Sequence, residues 1–199
     1  MSSRRVVITA FRGFELLDVS GPVAVLSTFN RLRGSPAYSL CLASDHGKGR
    51  VVSSSGIAID AECSLRVRGE LDTLIVPGAG ERPVDRYSPE LVAGVRRLAR
   101  RSRRIASVCT GAFVLGDAGL LHGRRVTTHW AAAELLARQY PTCEVESDSI
   151  YVQDGNVWTS AGVSSGIDLA LALVNADHGA AAATDVARHL VVYVPRPGG

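Results

Sequence analysis

No apolar run in this chain approaches the roughly 20 residues needed to cross a bilayer, so the sequence carries no membrane-spanning helix. The start, Met1-Ser2-Ser3-Arg4-Arg5-Val6-Val7-Ile8-Thr9-Ala10, has two arginines but too short an apolar stretch for the core of a signal peptide. It reads as a first strand, and a cytoplasmic location is the expectation. Cysteine is scarce: Cys41, Cys63, Cys109 and Cys143 are the four, none at C-x-x-C spacing, and the five histidines do not gather around them. That argues against a zinc site and, at this length, against a disulfide scaffold; no metal and no cofactor is expected. Lysine is nearly missing, with Lys48 the only one, which fits a GC-rich coding sequence better than any function. Charge of one sign is also lacking: the net value is +3, so the field of the whole protein gives no argument for nucleic acid. There is no internal repeat, no low-complexity tract and no second domain.

What is present is a chain of 199 residues, 46% hydrophobic, enough for one globular domain with a full core. Apolar strands alternate with helical patterns. Strands are predicted over Val6–Ala10, Tyr38–Ser44, Leu71–Val76 and Ile105–Val108, with short pieces around Val51 and Ile57. A hairpin is predicted from Ser149–Gln153 and Val157–Ser160 about Asp154-Gly155-Asn156. Helices are predicted from Ser20 as N-cap with Pro22 in the first turn, over Pro89–Arg101, Thr110–Leu120, onward from Trp130 to Gln139, over Val163–Asn175 and over Ala180–Val194. The arginines Arg96, Arg97, Arg100, Arg101, Arg103 and Arg104 read as a solvated helix face at the negative end of a helix dipole. The alternation implies βαβ units and a mostly parallel sheet with helices on both faces, an α/β three-layer sandwich. Ligands in such folds sit beyond the carboxyl ends of the strands. The segments holding Asp18, Gly78-Ala79-Gly80 and Cys109 all end there.

Cys109 carries the most information. In Ile105-Ala106-Ser107-Val108-Cys109-Thr110-Gly111-Ala112-Phe113 an apolar run ends at the cysteine, and small residues and a helical stretch follow. Strand, sharp turn and helix would expose the side chain beside unpaired backbone N–H groups. Those groups would lower the thiol's pKa and could hold an oxyanion. The alternative is a buried small hydrophobe. His129 reads either as a pocket wall or as a helix-start residue satisfied by backbone. Trp130 reads as a core aromatic. Thr159-Ser160-Ala161-Gly162 either serves a ligand or caps the helix that follows.

Three stretches, Leu17-Asp18-Val19-Ser20-Gly21-Pro22, Val76-Pro77-Gly78-Ala79-Gly80 and Ser107-Val108-Cys109-Thr110-Gly111-Ala112, resemble the ThiJ/PfpI superfamily, a flavodoxin-like branch of the class I glutamine amidotransferase-like fold. Within it the chain looks most like the N-terminal domain of AraC-family transcriptional regulators, on Gly119–Trp130 and Thr159–Leu171. The ending Ala187–Gly199 resembles the join to a helix-turn-helix domain. The resemblance implies a ThiJ/PfpI-like domain over 1–194 and the start of a linker over 195–199. It makes Cys109 the cysteine of a nucleophile elbow and Asp18 the carboxylate facing it. Gly78, Ala79 and Thr110 would form an anion or oxyanion pocket, with His129 as a further ligand contact. A sensor of this type would bind a small metabolite, form a homodimer and reach DNA only through the domain that follows. Relatives with this Asp18 and Cys109-Thr110 pattern include isonitrile hydratases, so an enzyme with Cys109 and Asp18 as catalytic residues is the alternative. Protease-like and amidase-like relatives place histidine directly after the cysteine; Thr110 stands there instead. A redox role would oxidise Cys109 ahead of Cys41, Cys63 and Cys143.

Overall fold

In a computed structural model, which describes residues 3–79 and 87–192, seven strands form one sheet. In chain order the elements are β1 (Arg4–Ala10), α1 (Leu16–Arg33), β2 (Tyr38–Ser44), β3 (Gly49–Val52), β4 (Ala58–Ala61) and β5 (Cys63–Ser64). Then come β6 (Leu71–Val76), α2 (Pro89–Ala99), β7 (Ser102–Val108), α3 (Gly111–Asp117), β8 (Arg125–Val126) and, after a 3₁₀ turn at Trp130–Ala132, α4 (Ala133–Gln139). The last elements are β9 (Glu144–Val145), β10 (Tyr151–Asp154), β11 (Val157–Ser160), α5 (Ser165–His178) and α6 (Ala180–His189). The spatial order is β10-β11-β7-β6-β1-β2-β5, and every pairing is parallel except that of β10 with β11.

The central strands read as apolar runs because both faces are covered. Val6, Val7, Ile8, Leu74, Ile75 and Val76 are all buried, each such side chain contributing about 1.5–3 kcal/mol. The step from β1 to β2 runs one way across the sheet and the step from β6 to β7 runs the other. Right-handed crossovers then place α1 and α2 on opposite faces. Helices α1, α5 and α6 pack together, and α2 packs with α3. The reversal lies between β1 and β6, so a crevice is expected beyond Ala10 and Val76. This is the mostly parallel sheet that the alternation of strands and helices predicts, in the flavodoxin-like form that the resemblance implies.

Two departures from the sequence-based expectations bear on the site. Helix α1 starts at Leu16, with Glu15 as N-cap, so Ser20 and Pro22 lie inside it and Asp18 sits in its first turn. The tertiary bonds of Asp18 described below hold that turn, and they outweigh the local preference of Ser20 and Pro22 for a helix start. The arginine cluster is a solvated helix face only in part: Arg96, Arg97 and Arg100 are exposed at the end of α2. Arg103 and Arg104 belong to β7, and Arg104 is only 3% exposed. Arg96, Arg97 and Arg101 donate to the carbonyls of Ala118, Leu65 and Val67. Other boundaries move by a few residues as helix ends do. Val194, the proposed linker over 195–199 and Gly80 lie outside the described residues. No helix among the described residues is long and apolar enough to cross a membrane.

Candidate functional site

Cys109 follows the last residue of β7 with φ 57°, a left-handed backbone that a non-glycine residue adopts at a cost of about 1–3 kcal/mol. The turn is held from both sides. The Cys109 N–H donates to the Ser160 carbonyl at 3.0 Å, and the Cys109 carbonyl accepts from the Thr128 hydroxyl at 2.9 Å. Two glycines make room for it. A Cβ on Gly78 would stand 2.6 Å from the Thr110 hydroxyl oxygen, and one on Gly162 would collide with the Cys109 side chain. Strand, left-handed residue and helix therefore follow one another as the motif suggests.

Asp18 reaches the same place from α1. Its Oδ2 accepts from the Gly78 N–H and its Oδ1 from the Val163 N–H, both at 2.9 Å. One carboxyl thus ties the β6 and β11 ends of the sheet to the first turn of α1. Val163 also has a positive φ, 51°, which is more costly still for a β-branched residue. Thr110 makes the complementary link. Its hydroxyl oxygen accepts from the Ala79 N–H at 2.9 Å, and its carbonyl accepts from the Tyr87 hydroxyl at 3.2 Å. The amides of Gly78 and Ala79 are thus engaged within the protein.

Both ionisable groups are pushed toward neutrality. Burial raises the Asp18 carboxyl to about 7, with the Gly78 and Val163 amides opposing and Glu15 adding to the rise. Burial likewise pushes the Cys109 thiol up to about 12; the Asp18 charge adds, and the Thr110 amide and hydroxyl oppose. The expected lowering of this thiol is therefore reversed. The amides at the start of a seven-residue helix are outweighed by desolvation of a side chain only 1% exposed.

His129 follows Thr128 and is buried, and its Nδ1 has no hydrogen-bond partner among the described residues. It is not satisfied by backbone there. Trp130 is 76% exposed rather than a core aromatic, with its ring tilted at 5.6 Å from that of His129. The hydroxyls of Thr159 and Ser160 do not cap α5. Thr159 accepts from the Thr127 N–H, and Ser160 accepts from Cys109. Among the described residues no group of three or more His, Cys, Asp or Glu side chains could hold a metal.

Thr128, Tyr87, Gly162 and Val163 support the site without having been singled out for that role from the sequence. For Gly162 a signal existed, since a glycine just past the end of a strand marks a close approach of backbone. For Val163 and Tyr87 there was none, because their roles depend on contacts remote in sequence.

The chain is 33% identical over 185 residues to the HTH-type transcriptional regulator CdhR of Pseudomonas aeruginosa, a match covering 93% of this chain and 54% of that protein. It is 34% identical over 165 residues to the isonitrile hydratase of Pseudomonas putida, covering 82% of this chain and 67% of that one. The chain thus spans about half the length of the regulator. Among solved structures, an AraC family transcriptional regulator from Pseudomonas putida superposes with a TM-score of 0.83 at 27% identity, covering 94% of this chain and 99% of the other. The model of the DJ-1/PfpI family matches residues 4–176, most of the chain, and the protein therefore belongs to the DJ-1/PfpI family.

Proposed function

We propose that this chain is the ligand-sensing and dimerisation domain of an AraC-family transcriptional regulator. It binds a small polar metabolite at the Cys109 pocket and acts on DNA through a helix-turn-helix domain. The observation that carries this reading is the convergence of Asp18, Thr110 and the buried Cys109 at one end of the sheet, where they can line a ligand site by shape and hydrogen bonding. His129 Nδ1 supplies a buried polar atom with no partner among the described residues, which a ligand would satisfy. Asp18, Gly78, Ala79 and Thr110 shape the rest. The similarity to a regulator over 93% of this chain supports the same reading. A switch of this kind requires the ligand to bind one of two arrangements more tightly.

A thermal-shift screen of small polar metabolites tests this. A true ligand at about 100 times its Kd adds about 2.7 kcal/mol of stability. The gain should shrink in His129→Ala, and no product should form.

The 34% identity to an isonitrile hydratase supports a second reading. Cys109 sulfur would attack the terminal isonitrile carbon while Asp18 delivers a proton to it. Water would then add to that carbon and expel the thiol, leaving an N-substituted formamide. Isonitrile turnover that disappears in Cys109→Ala would decide for the enzyme and against the sensor.

A further inference from the structure

Cys41 and Cys63 lie at the other edge of the sheet, on β2 and on its short edge partner β5. Their sulfurs are 3.0 Å apart, closer than two non-bonded sulfurs ordinarily approach. The register accounts for the contact. Ala43 pairs with Cys63, and the Glu62 N–H donates to the Leu42 carbonyl at 2.8 Å. Cys41, two residues before Ala43, therefore points to the same face of the sheet as Cys63. A disulfide needs about 2.05 Å, so each sulfur has to travel only about half an ångström. Both residues are partly exposed, whereas Cys109 is buried. Cys143, the remaining thiol, donates to the Tyr140 carbonyl.

We propose that Cys41 and Cys63 form a reversible dithiol–disulfide couple, a redox site separate from the Cys109 pocket, with a small peroxide as its oxidant. The Cys63 thiolate attacks one peroxide oxygen. An S–O bond forms, the O–O bond breaks, and the departing oxygen leaves as water after taking up a proton. Cys41 then gives up its proton and attacks the Cys63 sulfur; the S–S bond forms, the S–O bond breaks and a second water leaves. The two thiols lose two electrons and the peroxide is reduced to two waters. Cys63 is taken as the first to attack because it lies on the short strand at the rim of the sheet, whereas Cys41 lies on β2 behind it. A low-molecular-weight thiol restores the pair by exchange.

The bridge would close the segment that holds the β3–β4 hairpin. That hairpin docks on the loop before α1: the Ser54 N–H donates to the Phe14 carbonyl, and the Ser54 hydroxyl donates to the carboxylate of Glu15, the N-cap of α1. Oxidation would therefore tie down a segment that borders the helix carrying Asp18.

The test treats the full chain with hydrogen peroxide, blocks remaining thiols and digests with trypsin without reduction. Cleavage after Lys48 and Arg50 separates peptide 34–48, with Cys41, from peptide 51–66, with Cys63. The expected product is these two peptides joined, two hydrogens lighter than their sum, with Cys109 still alkylatable after unfolding. The link should vanish on reduction and in Cys41→Ser, and persist in Cys109→Ser. It should form at least about tenfold faster in the native chain than in the urea-unfolded one, because the fold supplies the proximity. Linking no faster in the native than in the unfolded chain, or oxidation of Cys109 ahead of the pair, overturns the proposal.

Discussion

The two ends of the central sheet handle buried charge in opposite ways. At the amino end Arg4, Arg103 and Arg104 face Asp72 and Asp177. Arg103 bonds both oxygens of Asp72 at 2.9 Å, and Arg104 bonds Asp177 and the Thr73 hydroxyl. The Tyr38 hydroxyl adds a bond to Asp177 at 2.9 Å. Burial alone would raise the Asp177 carboxyl; the Arg104 bonds and the surrounding arginine charges more than offset it and hold it low. At the carboxyl end Asp18 is held, among the described residues, by two amides and no cation, and its carboxyl rises to about 7. The positive φ values of Cys109 and Val163 lie at this end too. Compensated charge marks the end that holds the sheet together. Uncompensated polarity and backbone strain mark the end where the ligand site is proposed.

The largest expected effect comes from breaking the compensated end. Arg104→Ala leaves Asp177 buried with a weakened set of partners, and should cost about 3–5 kcal/mol in urea unfolding. The midpoint of the pH dependence set by Asp18 should not move in this variant. A shifted midpoint would mean that the two ends are electrostatically coupled.

Next in size is the pH dependence itself. The folded Asp18 pKa lies above its ordinary 3.8, so the fold favours the protonated acid. Its contribution to stability is full below about 4 and is lost as pH rises through about 7, a change of about 4 kcal/mol at the ceiling. Asp18→Asn removes the titration but keeps only one acceptor for the Gly78 and Val163 amides. It should be less stable than the wild type near pH 4 in chemical unfolding, by about 1–3 kcal/mol, and should close that gap as pH rises through about 7. Equal slopes for both proteins would show that Asp18 stays ionised, sustained by its amides.

These effects also divide what was legible in the sequence from what was not. The carboxyl end could be read because its parts are local. An apolar run meeting Cys109-Thr110-Gly111, and another meeting Pro77-Gly78, each announce a strand running into a tight turn. The convergence of Asp18 with them follows from topology alone. The amino end could not be read that way. Arg104 and Asp177 are 73 residues apart, and the i, i+4 spacing of the arginines suits a solvated helix as well as a strand start. The alternation of β7 turns Arg104 inward, and only the strand boundary reveals it. The start of α1 was misplaced for a related reason: the partners of Asp18 are 60 and 145 residues away, beyond any local cap rule. The height of the Cys109 pKa was missed because burial, not the adjacent amides, sets it.

The smallest effect probes how tightly the carboxyl end is held. Thr110→Val keeps the branched shape but removes the oxygen that accepts from Ala79, leaving a partly buried N–H without a partner. The expected loss is about 1–2 kcal/mol. Thr110→Ser keeps that oxygen and should recover most of it, whereas loss of packing alone would leave Thr110→Ser the worse of the two. The bond from Tyr87 goes to the Thr110 carbonyl and survives in both variants. A difference in unfolding midpoint between them therefore isolates the Thr110 hydroxyl. A Thr110→Val variant as stable as the wild type would mean that Ala79 finds another acceptor, and that the carboxyl end is looser than its hydrogen bonds suggest.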